Sequence, residues 1–469
     1  TAEKTYFHST AFVTADALSS GDGGKVILWA DESTYFYGGI AATGGLQSGN
    51  GGFVETSGKQ FLDFGGSVDV TATNGVGGTV LLDPVSITIL AGTDSNTTGF
   101  TAGSDIAELF GDDSAVVGTV LDPTATTGSF NGITGGTIIL QATDFITISD
   151  AFNVASATGN SNVNLVMQAG GSININKDLT MDGTGTLHLE ADSFHNTSGG
   201  ADGTGAINFA SGTTTTLGGG LTLIGADFSI VGAITGGSNN VAIAESQSST
   251  SLALGSAAGS LLTDTELDQI STTGIITIGQ AMTAGTNGAS LAAVQTLTSG
   301  AITTDGLTQS NLNLVSNSTV SLGTTTLTGN LSVTSAGVIT QTGALAITGT
   351  TTLAAGAAND ITLSTATNNF TGAVAITTGK DVTLVDADTI DLGASTVSGD
   401  FAVTATAGGD ITDSGVLAIT GNSTFTTAGA QSITLNSAST YTGTVAFVAS
   451  AGTLTNVTIN DSGVFDLAA

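Results

Sequence analysis

ITQTGALAITGTTTLAAGAANDITL, residues Ile339–Leu363, returns 72 residues later as ITDSGVLAITGNSTFTTAGAQSITL, Ile411–Leu435, with 13 of 25 positions identical. A second pair, Val320–Val333 (VSLGTTTLTGNLSV) and Ile390–Val403 (IDLGASTVSGDFAV), recurs at an offset of 70. Self-similarity at a fixed period marks a repeat architecture, in which each unit buries its apolar face only against its neighbours. Inside the repeat, bursts such as Leu345–Ile347, Ile361–Leu363, Val382–Leu384 and Phe401–Val403 alternate apolar with small residues. Period-two alternation sends successive side chains to opposite faces, which is strand geometry. Gly, Asn, Asp, Ser and Thr separate the bursts, and these residues form turns. Roughly nine bursts per 72 residues predict three coils of about 24 residues, each with three short strands. The expected fold is an all-β solenoid.

Composition narrows the class further. The chain has 469 residues, 68 of them Gly, and Pro84 and Pro123 are its two prolines. Collagen needs strict glycine periodicity and abundant proline, so it is excluded. Hydrophobic residues make up 40% and alternate regularly, which separates the sequence from disordered chains. Thirty-eight Asp and Glu face five Lys (Lys4, Lys25, Lys59, Lys177 and Lys380) and no Arg, a net charge of −33. Nucleic-acid binding needs a basic footprint, so no nucleic-acid partner is expected. Anionic membrane surfaces are disfavoured on the same ground. Such charge implies solubility, self-repulsion and attraction for cations. No cysteine is present, so no disulfide forms, which suits a chain that crosses an envelope unfolded. No run of about 18 or more apolar residues occurs, so no transmembrane segment is expected. The first residue is Thr rather than Met and no signal peptide precedes the repeats, which implies a mature or excised piece of a longer protein.

Three stretches follow one another. Residues 1–90 form aromatic and Gly-rich coils: GGKVILWADESTYFYGGIAATGG (Gly23–Gly45), GNGGFVETSGK (Gly49–Lys59), FLDFGGSVDV (Phe61–Val70) and GGTVLLDPVSITI (Gly77–Ile89). Residues 91–270 are a decorated stretch with two short helical excursions, near 104–110 and 263–270. Each is signalled by a capping box, Asp105 with Glu108 and Thr263 with Glu266. Residues 271–469 carry the regular 70–72-residue super-repeats, and no Pro-rich or Gly/Ser linker interrupts the chain.

GGKVILWAD, YFYGGIAATGG, GGFVETSGK and LLDP resemble, in the same order, a block in the large exoproteins of the filamentous haemagglutinin family. LLTDTELDQISTTGIITIG (Leu261–Gly279) resembles a recurring block of the same proteins. The resemblance covers Gly23–Ile89 well, and Ser104–Asn176 and Leu261–Gly279 loosely. It implies a right-handed parallel β-helix exported across the Gram-negative outer membrane by two-partner secretion. An outer-membrane secretion partner, an extracellular or cell-surface location and action as an adhesin or surface fibre follow from the same resemblance. That family's N-terminal secretion domain, with an Asn-Pro-Asn-Gly signature, is absent from these residues. The resemblance therefore implies an internal or processed segment.

Residues that could carry chemistry are few. Asp386, Asp388, Asp391, Asp410 and Asp413, with Asp112 and Asp113, supply hard oxygen ligands near turn carbonyls, which suits calcium. The plainer reading is a solvated acidic face, since neither an EF-hand loop nor a GGxGxD repeat is present. His188 and His195 with Glu190 or Asp192 have the ligand types of a zinc site, against a plainer role as wall residues. Trp29, Tyr35 and Tyr37 suit stacking on a sugar or plugging the first coils. Threonine runs at 213–216 and 324–326 suggest an ice-binding face, but the uneven 70–72 spacing argues against a flat register.

The expected function is a secreted structural or adhesive surface protein without catalysis, requiring no cofactor, with calcium as its one candidate ion. At about 24 residues per coil and about 4.8 Å between strands, the solenoid would be a rod on the order of 90 Å long. Unpaired strand edges at its two ends favour head-to-tail self-association into a filament. A host or neighbouring cell surface, or a glycan, is the expected partner. The alternative is a carbohydrate-active β-helix enzyme, a polysaccharide hydrolase or lyase, with an acidic groove. Asp386 and Asp388 share a strand face as such enzymes require, yet Lys380 is the nearest base and the absence of Arg makes an anionic polymer electrostatically unfavourable.

Overall fold

The computed structural model describes residues 2–92, 118–124, 128–193, 203–246, 251–255, 261–279, 294–299 and 311–468. Among the described residues it is all-β apart from two short helices, and the named strand pairs are parallel. The chain falls into two compact units, Thr1–Asn239 and Asn240–Ala469.

In the first unit the backbone passes three walls and returns to the first. One wall stacks Lys25–Ala30, Phe53–Gly58, Thr79–Leu82, Thr137–Ala142, Asn164–Ala169, Leu187–Glu190 and Leu221–Gly225. A second holds Lys4–Phe7, Ser33–Phe36 and Phe61–Phe64, then Ile87–Ile89, Ile146–Ile148, Ile173–Ile175, Ala206–Phe209 and Asp227–Ile230. A third holds Phe12–Thr14, Gly39–Ala41, Ser67–Asp69 and Ile133–Thr134. Thr119–Leu121 breaks the chain order. It pairs with Ile87–Ile89 on the edge opposite Ile146–Ile148, and Thr119 Oγ1 accepts the Leu62 N–H at 2.9 Å.

Alternation builds the core. Ile87 and Ile89 are fully buried while Thr88 between them is half-buried, and the pairing register carries those positions through Ile146/Ile148, Ile173/Ile175 and Ile207/Phe209. Phe7, Phe36 and Phe64 form an aromatic column in the same way, with ring centroids 5.4 and 5.2 Å apart. Each such side chain contributes about 1.5–3 kcal/mol when buried. A register slip of one residue would turn a whole column outward, so the alternation also fixes the pairing.

The second unit shows how the sequence repeat relates to the coil. Ile339, Ile361, Val382, Phe401, Ser423 and Val445 form one column, at steps of 22, 21, 19, 22 and 22 residues. Ile390, Ile411, Ile433 and Val457 form another. Ile411, the sequence counterpart of Ile339, thus stands on a different wall. The 72-residue repeat spans three coils, Ile339 to Phe401, plus one further strand. Dividing 72 by three gave the expected coil of about 24 residues. The steps here are shorter because the repeat holds a non-integral number of coils. In the first unit they vary more widely, 28 from Lys25 to Phe53, 22 from Leu165 to Leu187 and 19 from Thr215 to Ile234.

The capping box expected at Thr263 forms. Its N–H donates to Glu266 Oε2 at 2.8 Å and the Glu266 N–H donates back to Thr263 Oγ1, opening the helix Asp264–Leu267. The excursion expected near 104–110 lies outside the described residues. A helix the sequence did not announce, Val154–Thr158, begins where Asn153 accepts the Ser156 N–H at 2.7 Å and ends at Gly159 with φ of 70°. Among the described residues no helix is long and apolar enough to cross a membrane.

Candidate functional site

Three of the candidate aspartates, Asp386, Asp410 and Asp413, accept backbone hydrogen bonds. Asp386, fully buried, accepts the Phe370 N–H on Oδ2 and the Asp388 N–H on Oδ1, both at 2.7 Å. Burial raises its carboxyl above the ordinary value, against the pull of those two donors. Asp410 accepts the Ser432 N–H at 2.7 Å, and Asp413 accepts the N–H groups of Asn436 and Ser437, all one coil further on. Asp391 lies on a wall, accepting from Thr412 Oγ1 at 3.4 Å, and Asp388 is exposed. The five are therefore spread over two coils, and only Asp386 and Asp388 are joined directly. Among the described residues no three His, Asp or Glu side chains form a metal-holding group. Asp112, Asp113 and His195 lie outside the described residues.

Sequence reasoning missed a second use of the same residue types. Asp360, Asp381, Asp400 and Asn422 each accept, on Oδ1, the N–H of the residue one coil later, ending at Thr444. The signal was present as an Asp or Asn directly before the first residue of successive strands. Lys380 neutralises part of this column, 2.7 Å from Asp381 and 3.6 Å from Asp360, and the exposed contact lowers the Asp381 carboxyl.

In the first unit His188 and Glu190 share one face, Nε2 to Oε2 3.5 Å, and Gln168 donates to the same Glu190 oxygen at 2.7 Å. Asp192 is not with them. Its backbone is left-handed, φ 56°, and its carboxylate accepts the Gly203 N–H. Asp83, just past Thr79–Leu82, is pushed up to about 7 by burial and by the Glu55 carboxylate on the neighbouring strand. The threonine runs are partly internal, with Thr215 and Thr325 buried.

The aromatics divide as well. Tyr35 is buried with its ring 5.8 Å from Phe61, and Trp29 is half-buried, its carbonyl accepting from Thr5 Oγ1. Tyr37 instead borders a groove of about 460 Å³ over the corners of successive coils, formed by residues 9–12, 37–39, 65–67 and 128–132. The corners stack this closely because they are glycines. A Cβ on Gly38 would collide with the Ala11 carbonyl and the Phe7 ring, and one on Gly66 with the Gly38 carbonyl and the Phe36 ring. Tyr37 donates its hydroxyl to Asp63 Oδ2 at 2.6 Å, and burial together with that carboxylate raises its phenol far above the ordinary value.

No curated protein matches the sequence. Residues 309–377 and 379–448 each match DUF5649, a family of repeats of unknown function, and the 70-residue offset between the matches is that of the super-repeat in the second unit.

Proposed function

We propose that the chain is a structural and adhesive segment of a secreted cell-surface protein, a right-handed β-helix whose coils stack into a scaffold without catalysis. The observation that carries this is the employment of its acid groups. Asp360, Asp381, Asp400, Asp410 and Asp413 each accept a backbone N–H from the following coil, so carboxylates stitch coil to coil. The right-handed sense follows the general preference of parallel crossovers. Export through an outer-membrane partner, an extracellular location and contact with a neighbouring cell surface extend the same reading. So does head-to-tail assembly. Val457, Val464 and Leu467 are exposed beside Asn456–Asp461, apolar surface suited to contact with a second copy. Electron micrographs of the purified protein, dilute and concentrated, with calcium and with chelator, test it. Fibres of uniform width that lengthen with concentration are expected. Single particles under every condition would remove the assembly, and turnover of a polysaccharide would remove the non-catalytic reading.

One observation favours a carbohydrate-active enzyme instead. Asp83 follows the strand paired with the one that carries Glu55, and burial together with that carboxylate raises its carboxyl, the shift a general acid requires. Release of reducing sugar by the protein, lost in Asp83→Asn, would establish that reading, and no release from neutral or uronate polymers would end it.

A further inference from the structure

We propose that the corner groove of the first unit binds a neutral saccharide, held between the ring faces of Phe12 and Tyr37. This gives the adhesive reading a ligand and rests on it. Tyr37 is fixed before any ligand arrives: its hydroxyl is bonded to Asp63, itself 5% exposed, and its ring meets the Tyr6 ring at 5.8 Å. A Cβ on Gly65 would stand 3.1 Å from the Tyr37 ring, tighter than ordinary contact, so glycine lets that ring lie close against the corner. Phe12 lies against Gly39 in the same manner and is 64% exposed, a large apolar face turned to water. A ring already ordered, as Tyr37 is, stacks on a sugar face at little entropic cost.

Ser9, Thr10 and Ser67 also line the groove, and Thr10 Oγ1 is positioned 2.9 Å from His8 Nδ1. Hydroxyls both donate and accept, which matches sugar hydroxyls without selecting charge. Among the described residues no charged side chain lines the groove, and a chain of net charge −33 repels uronates, sialic acids and sulfated sugars. The chemistry therefore selects a neutral, hydroxyl-rich ring. The groove's size is within the ordinary range for ligand sites.

The test is calorimetry of the full chain with maltohexaose, cellohexaose, mannohexaose and chitohexaose, and with a polygalacturonate hexamer and a heparin hexamer as acidic controls. One or more neutral hexamers should bind, and Phe12→Ala should weaken that binding about ten-fold. The Phe12 side chain is mostly exposed, so the fold is not at stake. Phe465→Ala, an exposed aromatic of the second unit, should leave binding unchanged. Preference for the acidic hexamers, equal binding by Phe12→Ala, or no binding of any neutral hexamer overturns the proposal. If fibres still form in that last case, the scaffold reading stands and the groove alone is lost.

Discussion

Replacing Asn368 by alanine should cost the second unit about 3–5 kcal/mol, far more than removing any solvent-facing Asp or Asn. Asn368 is fully buried. Its Oδ1 accepts from the Leu345 N–H at 2.9 Å and Gln341 Nε2 at 2.8 Å, and its Nδ2 donates to Gln341 Oε1 at 2.9 Å and the Val385 carbonyl at 3.1 Å. Gln341 would keep the Gly343 carbonyl and the Thr365 N–H. Leu345 N–H and Val385 C=O would lose this partner inside the core, at about 1–3 kcal/mol each, and a small void adds to the sum. Asn422→Ala is the control. That side chain is exposed, water replaces it at the Thr444 N–H, and the expected cost is under about 1 kcal/mol. Because repeat proteins depart from two-state unfolding, the assay is native-state hydrogen exchange at the Leu345 amide and along Val382–Asp386. Asn368→Asp should be worse at neutral pH, since a carboxylate would face the Gln341 and Val385 oxygens with Asp386 close by in the chain. Its folded-state affinity for a proton would be raised, so its penalty should grow as pH rises above about 4 and shrink in acid. Costs for Asn368→Ala and Asn422→Ala within about 1 kcal/mol of each other would refute the reasoning.

Asp83 makes the first unit pH-sensitive. Its folded-state value of about 7 lies above the ordinary 3.8, so the folded chain holds that proton more tightly and stability falls as pH rises from about 4 to about 7. The shift corresponds to at most about 4 kcal/mol, and partial exposure reduces this to about 2. Asp83→Asn should therefore melt higher than the parent at pH 8 and equally at pH 4, and equal melting at both values would remove the argument. Phe425 is fully buried among Phe401, Tyr441 and Phe447, with ring centroids 6.0, 6.4 and 6.0 Å away. Phe425→Ala should cost about 3–5 kcal/mol and open the last coils to limited proteolysis, whereas unchanged cleavage would mean the column is not cooperative. Asp413 works as a hydrogen-bond acceptor, so Asp413→Asn should retain most stability and Asp413→Ala lose about 1–2 kcal/mol. A calcium-dependent melting temperature abolished by both variants would show a metal role instead.

The class of the fold was legible because alternation and turn formers are local signals, readable in any five residues of Ile361–Leu363 or Phe401–Val403 and their flanks. The groove was not. It is assembled from four distant segments, and of its residues only Tyr37 had drawn notice, since a glycine pair at a corner reads as a turn whether or not it is also a floor. The phase of the coils escaped for another reason. Coil steps vary, 19 residues from Val382 to Phe401, 22 from Phe401 to Ser423 and 24 from Ile433 to Val457, without altering the look of the strands, so a count of residues does not count coils.

That phase shift explains why single positions were hard to assign. Gln341 and Asp413 are equivalent in the sequence repeat, yet one pairs with Asn368 and the other caps Asn436 and Ser437. Asp386 and Ser316 are equivalent at the offset of 70, and here the task is shared: each accepts the N–H of the residue two places on, Asp388 in one case and Ser318 in the other. A serine performs at one corner what an aspartate performs at its counterpart 70 residues on, so the turn does not require the negative charge. The carboxylate's second oxygen adds the Phe370 N–H, one bond that serine would forfeit. Asp386→Ser should then fold and lose about 1–2 kcal/mol, less than Asp386→Ala, which leaves both N–H groups unanswered. Thermal melts with calcium and with chelator separate the two accounts. If Asp386 is a turn residue, the serine variant shifts both melts equally. A calcium stabilisation present in the parent and missing from the serine variant would make the charge the reason the aspartate is there.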